Sequence, residues 1–167
     1  IGGAAGAVPT LIGWSAVTGR LDWAPVVLFA IIFYWTPPHF WALAIRYRDD
    51  YAAAEVPMLP VVQSLHRTSV RILLYTLLLW ALTVLFSPVA GMGDVYLGSA
   101  IVLGAVFTWY AVRLLRLQGG GTGGVSPSGA VAVEVEATAM RLFGWSITYI
   151  TLLFGAMALD QLLRSGW

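Results

Sequence analysis

Five apolar runs, each about as long as a bilayer's hydrocarbon core is thick, constrain this sequence more than any other feature. They cover residues 2–18, 23–45, 70–90, 95–115 and 142–163. On its 167 residues alone the chain would pass for one soluble domain. Its composition overrules that, with 59% of residues hydrophobic and 10% charged, where a globular chain is about a quarter charged. Lipid must solvate most of such a surface. The expected fold is therefore an all-α polytopic transmembrane helix bundle. The first run is the weakest, being short, glycine-rich and interrupted by Pro9, with Gly2 and Gly6 spaced for close approach of a neighbouring helix.

The connections alternate in character. Arg20-Leu21-Asp22 and Gly91-Met92-Gly93-Asp94 read as tight turns, whereas 46–69 and 116–141 are long and polar. Arginines concentrate on one side: the long segments and their helix ends hold Arg46, Arg48, Arg67, Arg71, Arg113, Arg116 and Arg141, against Arg20 and Arg164 opposite. By the positive-inside rule the long loops are expected in the cytoplasm and the C-terminus outside. The chain opens on Ile1 in apolar sequence with no charged leader, which reads as a piece of something longer rather than a signal peptide.

What is missing excludes several chemistries. All nine basic residues are Arg, so Walker-A loops, Schiff-base nucleophiles and catalytic lysines are out. With no Cys there is no disulfide, thiolate metal site or Cys nucleophile. The run Gly119-Gly120-Gly121-Thr122-Gly123-Gly124 thus reads as a flexible linker, not a phosphate cradle. A net charge of +1 without a basic stripe argues against nucleic acid as a partner.

The chemistry is concentrated between Tyr34 and Tyr51. Pro37 and Pro38 are expected to end the preceding helix, because neither donates a backbone hydrogen bond and Thr36 is pushed toward an extended conformation. The carbonyls of Phe33 and Tyr34 would then be freed, which at membrane depth requires protein or a wet cavity to meet them. The sequence therefore points to a broken helix beside a cavity, with a new helix starting near Pro38. On that helix His39, Leu43, Arg46 and Asp50 share one stripe, flanked by Tyr47 and Tyr51 on one side and Asp49 on the other. Trp35, Phe40 and Trp41 bracket the histidine.

Two readings of these residues stand. Arg46, Arg48, Asp49 and Asp50 form either a site or simply the charged end of a membrane helix. His39 is either an imidazole facing a pathway or site, or a core histidine satisfying the freed carbonyls. Downstream, Pro57-Met58-Leu59-Pro60-Val61-Val62 is apolar and expected to be non-helical, either a lid folded over the membrane surface or a loop dipping into the interface. His66 reads as a solvated histidine and Asp160 as a helix-end residue. Glu134 and Glu136, two apart, point to different helix faces and do not suggest a metal pair. Trp23 and Trp167 read as interfacial anchors.

The run Trp35-Thr36-Pro37-Pro38-His39-Phe40-Trp41-Ala42-Leu43-Ala44 resembles the haem O synthase family, the protohaem IX farnesyltransferases of the UbiA superfamily of intramembrane prenyltransferases. So do Asp49-Asp50-Tyr51, Pro57 to Val62, the opening Gly3 to Pro9, Leu11-Ile12-Gly13-Trp14, and Arg141-Leu142-Phe143 leading to Ser146 and Tyr149. Arg48 stands where Lys is common in the family, Ser64 replaces a frequent Gly, and the glycine-rich loop is idiosyncratic.

The resemblance covers the whole chain but only the C-terminal part of the family. It implies helices five to nine of a nine-helix bundle in a bacterial inner membrane. The first aspartate-rich motif would lie outside this sequence, so the chain alone is expected to be inactive and poorly folded. The resemblance further implies farnesyl transfer from farnesyl diphosphate to the vinyl group of haem B, giving haem O. Asp49 and Asp50 would serve a Mg²⁺-diphosphate motif, with Arg46 and Arg48 nearby. His39 would orient or ligate the haem, and Tyr47 and Tyr51 would contact either substrate. Haem A synthase and terminal-oxidase assembly factors are the implied protein partners. The rival readings are a UbiA-type enzyme with a quinone or chlorophyll-like acceptor, and a non-catalytic haem-handling or transport protein.

Overall fold

Hydropathy places the helices and their packing orders them. A computed structural model describes residues 2–118 and 129–165, all helices, turns and loops with no strand among the described residues. The elements are α1 (Gly2–Thr18), α2 (Trp23–Arg46), α3 (Arg48–Ala53), α4 (Leu59–Val62), α5 (Leu65–Ala90), α6 (Asp94–Arg116) and α7 (Ala130–Ser165). Four of them, α2, α5, α6 and α7, are long and apolar enough to cross a membrane, which marks an integral membrane protein. With 17 residues, α1 extends only about 25 Å, short of a hydrocarbon core of about 30 Å. Of the five expected spans α1 is the shortest, and it packs alongside α2.

Helix α2 packs on α5, α5 on α6, α6 on α7, and α7 returns to α2, closing a four-helix ring; α1 leans on α2 from outside it. The short turns make the neighbours antiparallel, with one end of the ring carrying tight turns and the other the long connections. Leu74, Leu85, Val102 and Leu152 project outward, as expected where lipid is as good a solvent for leucine as a helix neighbour. The interior holds polar glue among its apolar groups. The Tyr149 hydroxyl on α7 donates across the ring to Thr83 Oγ1 on α5 (3.1 Å). The Tyr96 hydroxyl on α6 donates to the Thr83 carbonyl (2.9 Å).

At the turn end, Gly91 closes α5 in the left-handed conformation (φ 62°). The buried Asp160 caps the start of α6, accepting from the Gly93 N–H (2.6 Å) and the Tyr96 N–H (3.2 Å). A Cβ on Gly93 would stand 2.8 Å from Asp160 Oδ1, so only glycine fits. The Arg164 guanidinium donates to the Gly91 carbonyl. Asp160 is thus a helix-end residue, as expected, but it caps the neighbouring helix.

Other boundaries differ from the sequence reading. Pro9 sits inside α1, and Pro37 and Pro38 sit inside a continuous α2. Membrane helices tolerate proline because neighbouring helices and Ser or Thr side chains meet the groups it frees. Here Pro38 is buried and α5 and α7 both pack on α2; the Thr36 hydroxyl donates to the Ile32 carbonyl (2.9 Å), one residue before the carbonyls that the prolines free. Helix α7 begins twelve residues before the apolar run expected at 142, because Glu134, Glu136 and Arg141 interrupt the apolar pattern without breaking the helix. Leu59–Val62 is helical and packs on α2, α3 and α5, where a non-helical segment was expected. A Cβ added at Gly2 or Gly6 would meet no neighbour within 4 Å; at Gly3 it would stand 3.6 Å from Thr36 of α2. The glycine run and Trp167 lie outside the described residues.

Candidate functional site

The unbroken α2 sets the register of its reactive face. Residues 35, 39 and 46 fall on the side that meets α7, whereas Tyr34 and Trp41 face α5, each packing on Tyr75 (centroids 5.9 and 5.1 Å). Trp41 therefore does not bracket His39 as expected.

His39 lies half-buried in an aromatic sandwich. Trp35, one turn earlier, stacks on one face (4.4 Å, 22°) and Phe143 of α7 on the other (4.5 Å, 24°). Phe40 meets the ring edge-on at 5.3 Å. His39 Nδ1 lies 2.7 Å from Ser146 Oγ. The Ser146 hydroxyl also lies 2.6 Å from the Phe143 carbonyl, to which it donates. Trp35 Nε1 donates to the Ser146 carbonyl (2.8 Å). Two α2 side chains one turn apart thus hold the same α7 residue. His39 Nε2 has no protein partner among the described residues.

Sequence reasoning missed Ser146 and Phe143 as the histidine's partners. They are more than a hundred residues away, and the only local signal is a hydroxyl and a ring one turn apart in an apolar helix.

At the loop end the expected stripe is interrupted. Helix α2 stops at Tyr47 (φ −102°, ψ 27°) and α3 restarts at Arg48, so Asp50 is not on the helix that carries His39. Arg46 is engaged by Glu136, whose Oε2 lies 2.8 Å from Nη1. Two residues earlier on α7, Glu134 pairs with Arg113 of α6 (3.4 Å). The two glutamates do point to different faces, and each ties α7 to a different neighbour. Both pairs are substantially exposed and worth at most about 1 kcal/mol.

Asp49 and Asp50 sit exposed in the first turn of α3, with no ion pair or side-chain hydrogen bond among the described residues. The same holds for the side chains of Arg48, Tyr47 and Tyr51, which surround them in sequence. No group of three metal-ligating side chains occurs among the described residues. Two adjacent carboxylates are hard oxygen donors that suit Mg²⁺, but they fill at most part of an octahedral shell, and substrate phosphate oxygens and water complete such sites. The residues fit a shared metal-diphosphate site, not a protein-only cage. His66 is exposed, as expected of a solvated histidine.

Helix α5 starts where the sequence departs from the resemblance. Ser64 Oγ accepts from the Arg67 N–H (3.3 Å), making an N-cap of the residue that replaces the frequent glycine.

Relatives match along almost the whole chain. It is 52% identical over 163 residues to a protein named Protoheme IX farnesyltransferase from Parafrankia sp. (strain EAN1pec), an alignment covering 98% of this chain and 48% of the relative. A protein of the same name from Cutibacterium acnes is 48% identical over 98% of this chain and 45% of its own length. One from Synechococcus sp. (strain JA-3-3Ab) is 48% identical over 96% and 44%. The chain spans about half the length of these curated relatives. No solved structure matches it. The model of the UbiA prenyltransferase family matches residues 1–126, three quarters of the sequence. The exposed carboxylates of α3 and the histidine held between α2 and α7 thus stand in a chain that belongs to the UbiA prenyltransferase family.

Proposed function

We propose that, at the full length of its relatives, the protein transfers a farnesyl group from farnesyl diphosphate to a vinyl group of haem B, giving haem O. The observation that carries this reading is the extent of similarity, about half the residues identical over nearly the whole chain, to proteins named for that reaction. The site chemistry supports it independently. An imidazole nitrogen without a protein partner among the described residues, set between aromatic rings in a membrane helix, is a natural contact for an iron porphyrin. His39 orients or ligates the haem.

Asp49 and Asp50 would hold Mg²⁺ together with the diphosphate. Bound there, the ion neutralises charge on the departing diphosphate. Arg48 binds diphosphate oxygens directly. Arg46 joins it by exchanging Glu136 for a more highly charged partner, an exchange made cheap by the exposure of that pair. Tyr47 and Tyr51 contact either substrate from the ends of the same segment. The reaction breaks the bond between farnesyl C1 and the diphosphate oxygen, whose electron pair leaves with the diphosphate. The vinyl π pair forms the new carbon–carbon bond, and water captures the resulting cation, releasing one proton. Aromatic faces favour the allyl cation on the way.

The excess of arginine at the loop end favours a cytoplasmic position for the diphosphate site in the bacterial inner membrane. The product then passes to the proteins that mature terminal oxidases.

Complementation tests the reading. A bacterial strain lacking its own farnesyltransferase should regain extractable haem O when given the protein at the full length of its relatives. The Asp50→Asn variant, expressed to the same level, should not restore it. Restored quinone prenylation in a quinone-deficient strain, without haem O, would assign a different acceptor.

A further inference from the structure

Proton counting around Ser146 fixes which nitrogen of His39 is free. A serine hydroxyl has one hydrogen to donate and lone pairs to accept with. The Ser146 hydrogen goes to the Phe143 carbonyl at 2.6 Å, so Oγ has only acceptor capacity left for His39 Nδ1 at 2.7 Å. Nδ1 must then carry the proton in the neutral ring, and the lone pair sits on Nε2. The stacked faces of Trp35 and Phe143 prevent the ring from turning to exchange the two nitrogens. Trp35 fixes the backbone of the same serine through its Nε1 bond to the Ser146 carbonyl.

We infer that Ser146 is a positioning residue: it holds His39 in the Nδ1–H tautomer, so that the Nε2 lone pair is presented to the iron of a porphyrin. This rests on the proposed role of His39 toward haem and adds the device that orients it. Groups that hold the second nitrogen of a metal-binding histidine set its tautomer and basicity, and their loss weakens metal affinity about 10- to 100-fold. The other groups around the ring, Trp35, Phe40 and Phe143, offer faces and edges but no hydrogen-bond acceptor of their own side chains. Ser146 alone among these neighbours can select the tautomer.

The test uses the protein at the full length of its relatives in lipid nanodiscs. Imidazole ¹⁵N shifts of the haem-free protein at pH 8, with the His39 signals assigned by their loss in His39→Ala, report the tautomer of the wild-type ring. The Nδ1–H form is expected for His39, and a dominant Nε2–H form would overturn the proposal. Haem B titration then follows the Soret band. Ser146→Ala should bind haem 10- to 100-fold more weakly and lose the wild-type ligation spectrum. Ser146→Thr, which keeps the hydroxyl, should restore both. Adding Ser146→Ala to His39→Ala should cost nothing further. If Ser146→Ala binds haem as wild type does while His39→Ala fails to, the tautomer role is wrong and the haem role of His39 stands. If His39→Ala itself keeps wild-type affinity and spectrum, the underlying reading falls.

Discussion

His39 and Asp50 should fail in different ways when altered. On the proposed assignment, the Asp50 carboxylate acts on charge that grows as the diphosphate leaves, so its loss should appear in turnover rather than in substrate binding. Asp50→Asn is expected to lower kcat roughly 100-fold, about 2.7 kcal/mol at the transition state, with little change in KM for haem. His39→Ala should instead raise the haem KM and alter the bound haem spectrum, because imidazole is an iron ligand and a poor partner for Mg²⁺. Steady-state kinetics with both substrates varied separate the two, and equal kcat losses with unchanged KM would erase the distinction. His39 was legible in the sequence because an ionisable group in an apolar run stands out. Its partner was not, since Ser146 is an ordinary helix residue until α7 folds back on α2.

At the scale of elements, hydropathy gave helix positions well and helix ends poorly. Residues 23–45 and 95–115 lie within one residue of α2 and α6 at each end. The start of α7 was missed because Glu134, Glu136 and Arg141 lower hydropathy without opposing helix formation. The prolines of α2 misled for the opposite reason. The proline rule describes a helix that must satisfy its own backbone, whereas α2 is gripped by α5 and α7 on both sides of Pro37. A polar contact inside the ring had no sequence signature. Thr83 joins α5 to both α6 and α7 through Tyr96 and Tyr149. Thr83→Val leaves the Tyr149 hydroxyl without its acceptor and should destabilise the bundle by about 1 kcal/mol, the scale of interhelical hydrogen bonds in membranes. Thr83→Ser should recover that loss. Unfolding in mixed micelles measures both, and an unchanged Thr83→Val stability would remove the contact from the account.

Across the whole molecule, the ring of α2, α5, α6 and α7 puts both halves of the candidate site on α2 and its continuation. His39 lies in the membrane-spanning part, and the Asp49–Asp50 pair lies beyond the helix end at Tyr47. That arrangement suits a porphyrin held in the bilayer and a diphosphate held at its surface. The fold class was legible because composition leaves lipid as the only solvent. The closure of α7 onto α2 was not, because helices of similar hydropathy carry no label for their neighbours. The sidedness is testable directly in a protein of its relatives' length from which any cysteine outside these 167 residues has been removed, since these residues contain none. Single cysteines at Arg48 and Gly121 should react with a membrane-impermeant maleimide only from the cytoplasmic side, and labelling of either from outside would reverse the orientation.

Product chemistry puts the central claim to the most direct test. The protein, purified at the full length of its relatives into nanodiscs, is supplied with haem B, farnesyl diphosphate, Mg²⁺ and ¹⁸O-enriched water, and the extracted pigment is analysed by mass spectrometry. The account requires a haem that has gained one farnesyl group and one hydroxyl bearing the heavy oxygen, formed only with the metal present and lost on chelation. Haem B recovered unmodified from enzyme that binds it and folds normally, or a farnesylated product without the labelled hydroxyl, would contradict it.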